Sequence, residues 1–150
     1  MVENVAAKTK STDELLSELQ ECEDFTRYYR ENEEQFVPGD LAAELERLLV
    51  EKRLLKKDVI ARSNLSEVYA YQIFGGQKKN PGREKVLCLA VAMGLDLNEV
   101  QRLLKVSGYP QLYAKNPWDC MVIYGVCRKM SVLEINELLY DNGRKDLLGS

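Results

Sequence analysis

The chain has 150 residues and a formal net charge of −3, and it is 45% hydrophobic and 30% charged. This is the balance of a soluble globular protein with one compact domain or a small domain with appendages. No apolar run reaches the ~18 residues a spanning helix needs, and the opening "MVENVAAKTKSTDELL" lacks the apolar core of a secretory signal, so no membrane association and a cytoplasmic location are expected.

There is no histidine, which removes Ser-His-Asp and Cys-His arrangements. Walker A and GxGxxG phosphate loops are also missing. The chain is therefore expected to be non-enzymatic and to use no cofactor. Its cysteines, Cys22, Cys88, Cys120 and Cys127, form no CxxC pair and match no zinc spacing. Cys120 and Cys127 are spaced to share one helix face, and all four are read as buried small apolar side chains in a reducing compartment.

Charge divides the chain into three segments. Residues 1–40 hold 11 acidic and 4 basic side chains, a net −7; residues 41–108 hold 12 basic and 8 acidic, a net +4; residues 109–150 hold five of each. A basic middle behind an acidic front points to nucleic acid as a partner of the middle segment.

In chain order, residues 1–10 lack periodicity and are expected to be disordered. Residues 11–36 read as one or two helices opened by a Ser11/Glu14 capping box, with a narrow stripe of Leu15, Leu16, Leu19 and Cys22. "VPGD" at 37–40 is a turn, with Asp40 placed to cap the next helix. Leu41, Leu45, Leu48 and Leu49 mark the apolar face of a helix ending near Lys52. "KKDVIARS" is a second helix, and "NLS" is a turn leading to a third, which is capped by Ser66 and stopped by Gly75-Gly76. "QKKNPG" is a basic loop. "REKVLCLAVAMG" is a fourth helix and "DLNEVQRLLKVSG" a fifth, capped by Asp96. The last third repeats this pattern at an offset of 35 residues: Leu97 aligns with Val132, Glu99 with Glu134, Val100 with Ile135, Gly108 with Gly143. Residues 84–143 thus read as two tandem helical hairpins. No strand signal is present, so the fold is expected to be all-α.

Over about residues 41–106 the sequence resembles the phage-repressor/Cro-like helix-turn-helix family, also called the XRE family. The resemblance rests on Gln72, Ile73 and Gly76 at the end of the third helix, on the basic loop Lys78, Lys79, Asn80 and Pro81, on Leu87, Leu89, Ala90, Ala92, Met93 and Gly94 in the fourth, and on "GLDLNEV" leading into the fifth. It implies a five-helix core over 41–108, extended by a C-terminal helical hairpin over 109–150 and the acidic segment over 1–40. Asn64 stands where the family usually has Gly, and Asn is the next-best residue for a left-handed turn. Ile60 and Ala70 exchange the usual small and large residues of the helix crossing. Gln77 is an extra loop residue.

The resemblance further implies that the second helix spans a DNA backbone and the third enters the major groove. The outward face Glu67, Val68, Tyr69, Tyr71 and Gln72 becomes the base-reading surface. Gln72 can pair with adenine, Val68 can pack on a thymine methyl, and Glu67 can accept from cytosine N4. Lys56, Lys57, Lys78, Lys79 and Arg83 would hold phosphate, predicting a log–log salt slope of about −4 to −6. Leu55, in a cap position usually filled by Ser, Thr or Asn, leaves the first amides of the second helix free for phosphate.

The expected function is a DNA-binding transcriptional regulator acting by site occupancy on double-stranded DNA, as a homodimer or with a protein partner. Trp118, Tyr124, Ile135 and Leu139 would supply the contact surface. Two alternatives remain open: an adaptor docking a protein on Val68, Tyr69 and Tyr71, and an antitoxin-type regulator with a protein partner.

Overall fold

The computed structural model describes residues 10–35 and 40–148. Residues 1–9 and the Pro38-Gly39 turn, on which two of the expectations above fall, lie outside that range. The described residues are all-α, with nine α-helices and no strand. The chain divides into two units, Met1–Val37 and Pro38–Ser150.

In the first unit, α1 (Thr12–Glu21) opens with the Ser11/Glu14 capping box and α2 (Phe25–Glu31) is capped by Asp24. Tyr28 is the buried apolar side chain between them, and its hydroxyl donates to Leu15 O at 3.1 Å. Lys10 Nζ reaches both Glu18 Oε1 and Asn32 Oδ1 at 2.8 Å, tying the ends of the hairpin together. Leu16, Leu19, Phe25 and Tyr29 stay exposed.

The second unit holds α3 (Leu41–Glu51), α4 (Lys56–Ser63), α5 (Glu67–Phe74), α6 (Arg83–Ala92), α7 (Leu97–Val106), α8 (Pro117–Cys127) and α9 (Val132–Asp141). Asp40 caps α3 through the amides of Ala42 and Ala43, and the α3 leucines at 41, 45, 48 and 49 are all buried, as their spacing requires. Helix α6 is apolar on almost every side, with Val86, Leu87, Cys88, Leu89, Ala90 and Ala92 buried. A helix of this kind belongs at the centre, and α6 does contact α4, α7 and α9. Two carboxylates are buried among the described residues, Glu44 and Asp119. The Glu44 carboxylate, 2% exposed, accepts from Arg47 Nη2 at 2.6 Å and from Arg102 Nε at 3.2 Å, joining α3 to α7.

The 35-residue repeat reappears in backbone detail. Gly94 (φ 68°) and Lys129 (φ 55°) both end the first helix of a hairpin in the left-handed region. They are followed by matching bonds, Leu95 N to Ala90 O at 3.2 Å and Met130 N to Gly125 O at 3.0 Å. The second helices share a capping box, Asp96/Glu99 and Ser131/Glu134. They also end alike, with Tyr109 N on Leu104 O at 2.9 Å and Arg144 N on Leu139 O at 2.8 Å.

Two expectations are corrected here. Ile135 and Leu139 are 0% exposed and form part of the core, so they offer no surface to a partner. Helix α9 turns its Val132–Ile135–Leu139 face inward and leaves Leu133 and Tyr140 outside. Cys120 and Cys127 are exposed, and Cys22 is half-buried. Helix α8 packs through Val122, Gly125 and Val126, which rotates the 120/127 face to solvent. Only Cys88 is fully buried among the cysteines, and burial pushes its thiol up to about 12.

Candidate nucleic-acid interface

Helices α4 and α5 meet through a turn whose geometry follows from its residues. Asn64 takes φ 62°, a conformation Asn tolerates better than most non-glycine residues. Ser63, fully buried, donates its hydroxyl to Ile60 O at 2.7 Å and accepts from Leu65 N at 3.2 Å, so the buried polar atom is satisfied. Ser66 then caps α5 by accepting from Tyr69 N. Helix α5 sinks Ala70, Ile73 and Phe74 into the core. Ile60, from α4, is buried in the same core as Ala70.

The opposite face of α5 is open. Val68 is 69% and Tyr71 43% exposed, Glu67 is exposed, and Gln72 is half-buried. Glu67, Val68, Tyr71 and Gln72 line one shallow concavity of about 390 Å³ together with Gln77. Tyr69 departs from this set. It is half-buried against the core, with Lys78 Nζ 6.0 Å from its ring centre, so it flanks the open face rather than forming it. Gln77 is the member that sequence reasoning left out. Its one signal was its place as an extra residue in the loop; its side chain lies over Gly75, where an added Cβ would run into Gln77 Oε1.

The cations divide. Lys57, Lys78 and Lys79 are exposed and make no ion pair among the described residues. Lys78 is held near α5 by its backbone amide, which donates to Gln72 O at 3.0 Å across the Gly75-Gly76 turn. Lys78, Lys79 and Asn80 also line a concavity of about 500 Å³ at the start of α3. Lys56 pairs with Glu46 at 2.7 Å and lies 5.5 Å from the Phe74 ring centre. Leu55 makes no side-chain cap, so the first amides of α4 are left without one.

Arg83 is engaged inside the protein. Its Nη1 and Nη2 clasp the buried Asp119 carboxylate at 3.1 and 3.0 Å, Nε donates to Pro110 O at 3.0 Å, and Nη2 also reaches Gln111 O at 3.3 Å. A bidentate guanidinium–carboxylate pair of this kind fixes the segment between α7 and α8 onto the start of α6. It leaves little of Arg83 for an external phosphate.

Comparisons with protein-family models, with curated proteins and with solved structures gave no significant match.

Proposed function

We propose that α4, its turn and α5 form a helix-turn-helix of the repressor/Cro-like kind, and that the protein is a cytoplasmic, non-enzymatic transcriptional regulator that acts by occupying sites on double-stranded DNA. One observation carries this reading: an open α5 face of Glu67, Val68, Tyr71 and Gln72, anchored from behind by Ala70, Ile73 and Phe74, with Lys78 held beside it and with Lys57 and Lys79 exposed and without an ion pair among the described residues. A helix with hydrogen-bonding and apolar side chains outward and a lysine held beside it suits major-groove reading with phosphate anchoring.

With Arg83 committed to Asp119 and Lys56 to Glu46, three lysines per protomer remain for phosphate. At about −0.9 per neutralised phosphate, the log–log salt slope should be roughly −3 for each bound protomer, below the −4 to −6 that five cations imply. Fluorescence anisotropy on a pool of random duplexes across a salt series measures this. Lys78→Ala and Lys79→Ala should each reduce the slope by about 1. Absence of binding at low salt would remove the proposal.

The exposure of Val68 and Tyr71 favours a second reading, an adaptor that docks a protein on the same face, whether as a plain interaction module or as an antitoxin-type regulator. Its mark would be a salt-insensitive complex with another protein, abolished by Tyr71→Ala. A homodimer or a partner is expected in either case, since one module makes few phosphate contacts.

A further inference from the structure

A cleft of about 240 Å³ opens where the α4–α5 turn, the end of α6 and the start of α9 come together. Its walls are mainly apolar: Ala61 from α4, Val91 from α6, Val132 and Leu133 from α9. Three polar residues stand at it, Asn64 in the turn, Ser131 at the start of α9, and Arg62. Arg62 uses Nε on Ala92 O at 3.0 Å, and it has no carboxylate partner among the described residues. Both of its terminal nitrogens are left as donors. The opening of α9 brings amide donors to a cleft that the carbonyl ends of α4, at Asn64, and α6, at Ala92, also reach. Ser131 Oγ is taken by Glu134 N, and Glu134 is held on the Ser131 amide at 2.8 Å, so the amides of Val132 and Leu133 are the uncapped ones.

An unpaired guanidinium on an apolar cleft has a definite complement. A neutral apolar ligand would leave the cation unmatched, and an inorganic anion would leave the apolar walls wet. We propose that this cleft binds a small organic acid, a carboxylate on a short apolar stem, with the carboxylate on Arg62 and the stem against Val91, Val132 and Leu133. The volume lies below the ~300–1,000 Å³ of pockets for drug-sized ligands, which restricts the stem to a short aliphatic chain or a single ring. Arg supplies the paired donors that a carboxylate matches. Because the occupant touches both the Arg62–Asn64 turn and α9, it would tie the angle between α4 and α5 to the C-terminal hairpin. This regulatory consequence rests on the DNA-binding reading; the binding itself does not.

The test uses the full-length protein and hexanoate as probe, with hexanamide as its uncharged match, followed by amide chemical shifts in a nitrogen-15 correlation spectrum. Hexanoate at millimolar concentration should give saturable shifts centred on residues 61–64 and 131–133. Hexanamide, and hexanoate with Arg62→Gln, should bind roughly tenfold or more weakly, through loss of the charge-assisted hydrogen bonds. Ala61→Phe, which fills the cleft from an exposed position and keeps Arg62, should abolish the shifts. Equal binding of the acid and the amide, undiminished binding by Arg62→Gln or Ala61→Phe, or no saturable shift at these amides would each overturn the site. Duplex binding, measured separately with and without hexanoate, decides the other reading: if no DNA binds, the proposed function falls while the ligand site stands on its own spectrum.

Discussion

Gly125→Ala is the sharpest probe of how the C-terminal hairpin is built. A Cβ at this position would lie 2.5 Å from Ile135 Cγ1, 2.7 Å from Ile135 Cδ1 and 3.6 Å from Met130 Sδ. Ile135 is 0% exposed, so it cannot swing into solvent, and the two helices must separate or Ile135 must leave its rotamer. Overpacking of this kind costs about 1–3 kcal/mol, and two contacts this short on one immobile side chain place it in the upper half of that range. Against it stands the gain of about 1 kcal/mol from replacing Gly by Ala inside a helix. The net expectation is a loss of about 1–2 kcal/mol, a fall in Tm of several degrees for a chain of this size. Urea unfolding followed by circular dichroism measures it. Gly82→Ala is the comparison, because the added Cβ there would meet Glu84 Oε1 at an ordinary 3.6 Å, and as N-cap of α6 it should lose only the capping preference of Gly over Ala, about 0.5–1 kcal/mol. In the double variant Gly125→Ala/Ile135→Ala the obstruction is gone, so its loss should fall short of the sum of the two single losses by about 1 kcal/mol or more. An unchanged or raised midpoint for Gly125→Ala, or strict additivity in the double variant, would refute the packing argument.

Other outcomes follow from the same structure. Glu44→Gln should destabilise by about 2–3 kcal/mol, less than a fully buried pair because Arg47 and Arg102 keep 44% and 49% of their side-chain surface and can rehydrate. Burial opposes the Glu44 charge, but hydrogen bonds and charge from Arg47 and Arg102 outweigh it and hold the carboxyl below its ordinary 4.5. Its contribution is therefore present in full above that unfolded value and lost as pH falls through the lower folded one, and the Gln variant should show a flatter stability profile in that acid window. Ala70→Ile should cost about 1–3 kcal/mol, since Ala70 is 0% exposed within the packed core; a neutral melt would count against the exchanged sizes expected at the crossing. With a thiol reagent at neutral pH, Cys120 and Cys127 should react first, Cys22 more slowly, and Cys88 only on unfolding, since it is 0% exposed and its thiol is pushed up to about 12; rapid modification of all four would overturn the placement of α6.

The helices and their ends were legible along the chain. Apolar spacing at three and four residues, caps at Ser11, Asp40, Ser66, Asp96 and Ser131, and left-handed positions at Asn64, Gly94 and Gly108 are local signals, and a helix is a local structure made by hydrogen bonds four residues apart. The tandem hairpin was legible for the same reason, since each copy carries its own capping box and helix end.

What each surface group does with its charge or its apolar bulk was decided only in three dimensions. Arg83 read as a loop cation, but the chain returns Asp119 to it from 36 residues away, and Lys56 is matched by Glu46 from the preceding helix. Tyr69 reads as outward on a helical wheel, yet its ring flanks the core beneath Lys78. Ile135 and Leu139 were available to a partner on paper and Cys120 and Cys127 were not; the rotation of α8 and α9 about their axes reverses both. Helical periodicity states which residues share a face, but it does not state which of two amphipathic faces finds the larger apolar surface to bury. That choice is made by the sum of contacts among helices remote in sequence, and so are the cleft at Arg62 and the set of lysines left without an ion pair among the described residues.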